Sequence, residues 1–387
     1  MNRKMWKHAL PLGLACVMTA AAPMGALAAS PEFARTSEEW AKLQDNVLEY
    51  GELEDLIAEY NTAVQTNQLD LAEFKRKYGN TKDDVSAKYR ELANELYASV
   101  DYDSDDMSSI IKAGTVELQA KSMMENADNN LEDSEITWLN YKKSEKTLVT
   151  QAESNMIAYE KYQLQLQQAE LAKSQAAISL ASAQSKAANG LTTQVDILNA
   201  QETLQNADRT IESTKTSIET VRQKLQVSLG WKASDTPEIQ PIPAADMSRI
   251  AAMNPEADQA AALENNYDLK INQKKLQNAT TANVKESTEK TIADNERKIA
   301  SSLVTAYQNV LASRLSYDQA VAALELEQRN MQTVQSQYQN GSISRNQYEN
   351  QQYTLQSKQL DVQIADMNLF QTMESYDWAV KGLASTS

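Results

Sequence analysis

The densest group of ligating side chains in the sequence is Asp101, Asp103, Asp105 and Asp106. Carboxylates at such spacing suit a hard cation, and the helix–loop–helix calcium loop is the pattern to test. That loop needs glycine at its sixth position and glutamate at its twelfth. Counted from Asp101, those places hold Asp106 and Lys112, so the segment reads as an acidic, solvated turn and no metal is expected. Imidazole and thiol chemistry have only one residue each to work with, His8 and Cys16. Both fall in a stretch that reads as a removable leader, so Ser-His-Asp, Cys-His and His-zinc sites are excluded from the mature chain. Carboxylate pairs remain. Acid–base work needs a carboxyl group with a raised pKa in a shaped apolar cleft. No pocket-forming apolar segment surrounds any pair, and the chain reads as a non-enzyme without a cofactor.

The leader comprises residues 1–28. Arg3, Lys4 and Lys7 precede an apolar run from Leu10 to Ala22, and Ala26-Leu27-Ala28 supplies a small-x-small cleavage site. That order is the layout of a secretory signal peptide, and it implies export to the cell envelope, either the periplasm or the outer surface. Its loss makes the formal charge of -16 three units more negative. Such an acidic surface argues against nucleic acid as a partner. No later stretch is long and apolar enough for a membrane-spanning helix. Three Phe in 387 residues is sparse for a compact core but suits long helices rich in Ala, Gln, Leu and Glu.

Proline placement divides the remainder. No Pro occurs from Glu32 to Thr236 or from Glu256 to Ser387, while Pro237, Pro241, Pro243 and Pro255 lie between. Proline breaks helix interiors, so the expected organisation is two helical units, 29–236 and 256–387, joined by a Pro-rich linker at 237–255. The units repeat each other, since Asn189-Gly190 and Asn340-Gly341 stand 151 positions apart. After each Gly runs a heptad series: Ile197, Leu204, Ile211, Ile218, Leu225, and then Tyr348, Leu355, Val362, Leu369, Tyr376. Before each Gly, Leu303, Val310, Tyr317, Leu324, Met331 and Tyr338 match Ala152, Tyr159, Leu166, Lys173, Leu180 and Ala187, with Lys173 the one polar intruder.

A strict spacing of seven keeps an apolar stripe facing its partner only if the helices supercoil left-handedly. A helix from Thr193 to Leu229 would run roughly 55 Å at about 1.5 Å per residue and could not bury its own stripe. Gly190 and Gly341 suit the left-handed position that ends a helix. Thr193 with Asp196, and Ser344 with Gln347, have the spacing of capping boxes that start the next one. The fold class expected is therefore all-α, made of long coiled-coil hairpins in two repeats. Residues Gln44 to Ser99 read as helix with Tyr50, Leu53, Leu56, Ile57 and Tyr60 on one face, and reversals are expected near Asp101 and near Asn278. The first unit carries an excess between about 60 and 145 without an assignment.

The run Asn189-Gly190-Leu191-Thr192-Thr193-Gln194-Val195-Asp196-Ile197-Leu198-Asn199-Ala200, with Leu229-Gly230 further on, resembles the tip motif of the TolC family of outer-membrane efflux proteins. Gly341-Ser342-Ile343-Ser344 repeats it more weakly, with Gln347 in the Asp position. Asn265-Asn266-Tyr267-Asp268-Leu269 resembles the segment that opens the family's second repeat, and Asn46 to Leu53 is a fainter counterpart for the first. The resemblance covers most of the mature chain. It implies a homotrimer closing into a hollow α-barrel, with an outer-membrane location by family analogy. It also implies that Asn189, Gly190, Leu191, Asn340, Gly341 and Ser342 meet a membrane-fusion adaptor fed by an inner-membrane transporter. Asp196 and Tyr338 fall where the family places contacts that close the tip end, and Gln347 and Asn350 stand at positions that can be acidic there.

The chain departs from the family in one respect. A membrane strand needs about ten residues of alternating character. Ala98 to Ser108 and Asn278 to Thr288 are the candidate places, and both are polar without convincing alternation. No transmembrane β-barrel is therefore expected. The function implied is an efflux or export conduit component; the alternative is an exported coiled-coil scaffold of the envelope, without a lumen.

Overall fold

The computed structural model describes residues 35–100, 106–232 and 234–386. The signal-peptide reading, with His8 and Cys16, lies outside the described residues, as do Asp101, Asp103 and Asp105. The chain divides into a short unit, Met1–Gln44, and a main unit, Asp45–Ser387. The described part of the short unit is helix α1, Ser37–Leu43, started by a capping box between Thr36 and Glu39.

The main unit is all-α. Among its described residues the only strands are β1, Val47–Leu48, and β2, Glu238–Ile239, which pair in parallel. This short ladder ties the start of the first repeat to the Pro-rich segment between the repeats. Helices α2 (Leu53–Tyr60), α3 (Thr62–Tyr78), α4 (Lys82–Ala98) and α5 (Met107–Asp128) precede the first long hairpin. That hairpin is α6, Ser134–Ala188, and α7, Gln194–Ser228. After α8 (Met247–Ala252), α9 (Pro255–Asn265) and α10 (Tyr267–Asn278) comes the second: α11, Ala282–Gln339, and α12, Arg345–Trp378. At 55 and 58 residues, α6 and α11 each exceed about 80 Å at about 1.5 Å per residue. No described helix is long and apolar enough to cross a membrane.

The long helices form a row in which α7 packs on α6, α6 on α12, and α12 on α11. The heptads set this packing. Ile211 and Leu225 are buried on α7, and Ile197, Leu204 and Ile218 are half-buried; Leu369 and Tyr376 are buried on α12. Facing them toward the tips, α6 offers the small buried residues Ala169 and Ala176, which let the helix axes approach closely. Lys173, the intruder in the stripe, reaches across the hairpin to Asp208 at 2.7 Å with both side chains half exposed. The large side chains gather at the other end. Leu53, Ile57, Ile136, Met156 and Leu229 are buried there, as are Ile299, Leu303, Leu369 and Met373.

The segment from about Gln44 to Ser99, read as helical, is helical from Tyr50 onward, but after β1 and a 3-10 turn at Tyr50–Glu52 it is broken into the three helices α2, α3 and α4. Asn61 stops α2 and caps α3, accepting from the backbone of Ala63 and Val64. Thr81 starts α4 with a capping box closed by Asp84. Polar caps outweigh the apolar periodicity there because each supplies partners for the orphan N–H groups of a new helix. Asn61 has a twin in Asn266, which caps α10. Asn61 also donates to the Ser228 carbonyl at the end of α7 (2.8 Å), and Asn266 to the Ala384 carbonyl beyond α12 (3.0 Å). The counterpart of Asn266 in the first repeat is thus Asn61, not the Asn46–Leu53 segment. The unassigned excess becomes plain as well. α10 passes into α11 through residues 279–281, whereas α3 reaches α6 only after the additional pair α4 and α5.

Candidate functional site

Both hairpins turn through the same construction. In the first, Gly190 has φ 72° and donates to the Ala187 carbonyl at 2.9 Å, while Leu191 donates to Lys186 at 2.8 Å. In the second, Gly341 has φ 71° and donates to Tyr338 at 3.0 Å, and Ser342 donates to Gln337 at 2.8 Å. Each is a Schellman closure, in which a left-handed residue satisfies the last helical carbonyls. Asn189 and Asn340 are the cap residues just before it. Capping boxes then open the outgoing helices, from Thr193 with Asp196 and from Ser344 with Gln347.

The two boxes differ in charge. Asp196 Oδ2 accepts from Thr192 Oγ1 at 2.6 Å, Thr193 Oγ1 at 2.7 Å and the Thr193 backbone at 2.9 Å. These hydrogen bonds, the one from Thr192 foremost, hold its pKa down to about 2. Gln347 Oε1 accepts from the Ser344 backbone at 2.9 Å and from its hydroxyl at 3.0 Å, without charge. Among the described residues, no group of three or more acidic, His or Cys side chains is arranged to hold a metal ion.

The tips lie side by side. A 340 Å³ cleft between the hairpins is lined by Lys186, Thr192 and Asp196 from the first and by Asn346 and Asn350 from the second. Asn350 Oδ1 is buried there without a hydrogen-bond partner. Asp196 and Tyr338 are not brought together within the chain: Asp196 serves its own cap, and Tyr338 stacks on Tyr348 with ring centroids 4.6 Å apart. Leu191, Val195 and Leu198 stand open to solvent at 76%, 61% and 54%. Leu191 lies in the turn and Val195 and Leu198 on the first turns of α7, all three off the heptad series, and the heptad reading passed over them.

The fold is that of the TolC-like outer-membrane channels. Three solved structures share it. The outer-membrane channel OprN is 11% identical, covering 90% of this chain and 92% of its own, with a TM-score of 0.52. The Campylobacter jejuni CmeC outer membrane channel is also 11% identical, covering 96% and 94%, with a TM-score of 0.52. CusC, studied for its folding and transmembrane channel formation, is 11% identical over 86% and 92%, with a TM-score of 0.50. No family model matches the chain, and no curated protein matches its sequence.

Proposed function

We propose that this chain is the subunit of a TolC-like efflux or export conduit in the cell envelope. Three copies close into a helical ring, and the ring works with a membrane-fusion adaptor and an energised transporter. Passage through the lumen is passive. The adaptor meets the tips through Asn189, Gly190, Leu191, Asn340, Gly341 and Ser342, with Leu191, Val195 and Leu198 adding an apolar docking edge. The observation that carries this reading is the unfinished row of long helices. α7 and α11 are its two edges, and α11 leaves Val304, Leu311, Leu315 and Leu326 exposed along its length. An apolar stripe of this kind is unfavourable in water and is relieved by a neighbouring copy. Channels of the same fold, OprN and CmeC, support the conduit reading by analogy.

The test is assembly. Sedimentation and electron microscopy of the mature chain should give trimers with a central opening. Leu311→Asp with Leu315→Asp should return monomers of unchanged helicity. Solid rods or dimers would instead favour the envelope scaffold without a lumen. Binding of a cognate adaptor that persists after Gly190→Val with Gly341→Val would remove the tips from the proposal, because a β-branched residue distorts a turn at positive φ.

A further inference from the structure

Away from the tips, the two repeats meet where α6 packs on α12, and this seam contains a cluster of charges in which Glu374 is buried and Glu153, Arg249 and Asp377 are half-buried. Arg249 of α8 donates to Glu374 at 2.8 Å and to Asp377 at 2.6 Å, so one guanidinium already serves two carboxylates of α12. Glu54 of α2 is occupied by Lys146 of α6. Glu153 of α6 enters the same cluster, and its Oε2 is buried without a hydrogen-bond partner. The Tyr50 hydroxyl is buried beside it and makes no hydrogen bond of good geometry. Tyr50 is held in place by the edge of its ring on Phe370 of α12, with centroids 5.2 Å apart.

We propose that Glu153 is a proton-operated latch in this seam: protonated, it lets α6 and α12 close on each other, and ionised, it loosens their contact and changes the spacing of the two tips.

The charge inventory supports the latch. The groups facing Glu153 are Glu374 and Trp378 from α12, Glu54 from α2, Tyr50 from the turn before α2, and Lys381 from the turn after α12. The nearby cations Arg249 and Lys146 are committed to other carboxylates. Lys381 is exposed, where solvent screens it. An ionised Glu153 therefore sits by Glu374 in a poorly hydrated seam with no dedicated counter-charge. Burial accordingly pushes its pKa up to about 7, and the Trp378 hydrogen bond and the Lys381 charge oppose the rise only in part. Burial likewise raises the Tyr50 phenol, so it stays neutral and offers no charge compensation. A group that changes charge in the physiological range, located between two long bodies, biases their relative position by its differential energy in the two arrangements. This inference is independent of the conduit reading, because it concerns the two hairpins of a single chain.

Pulsed electron paramagnetic resonance tests it. Spin labels are placed through Ala188→Cys and Gln339→Cys, with Cys16→Ser, and the labelled chain is diluted with unlabelled chain. The label-to-label distance distribution should change with pH with a midpoint near 7. Glu153→Gln should hold the low-pH distribution at every pH. Lys381→Met removes the exposed ammonium that favours ionisation, so it should move the midpoint upward while leaving the fold untouched. It decides the matter even if Glu153→Gln folds poorly. A distribution that does not vary with pH, a transition that survives unchanged in Glu153→Gln, or a downward shift in Lys381→Met overturns the latch.

Discussion

Gly190 at the first tip and Gly230 at the end of α7 adopt the same backbone angle, φ 72°. Both close a helix in the same way: Leu191 donates to Lys186 at 2.8 Å, and Trp231 donates to Gln226 at 2.9 Å. Their surroundings are opposite. A Cβ on Gly190 would meet nothing within 4 Å, whereas one on Gly230 would lie 2.6 Å from the Tyr60 carbonyl oxygen. One local motif thus serves two purposes. At the base the turn is clamped by the close approach of another helix end, and its glycine is a packing requirement. At the tip the turn closes through its own hydrogen bonds, and a side chain on its glycine would meet open space.

Substitutions that separate backbone strain from packing sharpen this contrast. The largest effect is expected for Gly230→Ala, which adds overpacking against Tyr60 to the left-handed penalty, together about 2–5 kcal/mol. Chemical denaturation should show a lower midpoint with an unchanged slope, and a loss no larger than that of a tip glycine would dissolve the distinction. Gly190→Ala should cost only the local penalty, roughly 1–2 kcal/mol. Lys173→Leu, midway along the hairpin, should change the melting temperature least of the three, because it exchanges a half-exposed, solvent-screened ion pair with Asp208 for apolar contact. Its melting temperature should also lose part of its salt dependence.

The smallest effect distinguishes the two tips from each other. The Asp196 carboxylate is held below the ordinary value of 3.8, at about 2. Its support of the first turn is complete above 3.8 and is lost as pH falls toward 2. The protection factor of the Thr193 amide, its exchange rate relative to the intrinsic rate at each pH, should therefore fall on acidification through that window, while Ser344, capped by the neutral Gln347, should show no such step. Asp196→Asn should abolish the step at the first tip. A matching acid step at Ser344 would show that the charge of the box is immaterial.

The parts of this molecule that were legible in the sequence are those whose causes are local. Heptad spacing reported the inward faces of α7 and α12, and the Asn-Gly steps with Thr193 and Ser344 marked both reversals. The break at Asn61 was hidden because Tyr50, Leu53, Leu56, Ile57 and Tyr60 continue a helical period up to a residue whose role depends on the distant Ser228 carbonyl. The pair α4–α5 was unreadable for a related reason. It is an insertion in one repeat, and the repeat alignment contains no counterpart for it. At the tips, the cap residues were visible, but the stacking of Tyr338 on Tyr348 joins two helices across the turn and leaves no trace at heptad spacing. The Glu153 cluster draws on α2, α6, α8 and α12, and no stretch of sequence brings those segments together.

Helix α6 runs without interruption from Ser134 to Ala188 and so passes the seam at Glu153 on its way to the tip. A continuous helix of this kind is a stiff lever. Roughly 50 Å of it lies beyond Glu153 at about 1.5 Å per residue, so a tilt of about 5° at the seam would swing the tip by about 4 Å. That displacement is larger than a hydrogen bond is long, and a change in one proton's position near the fulcrum would decide whether groups at the far end can touch.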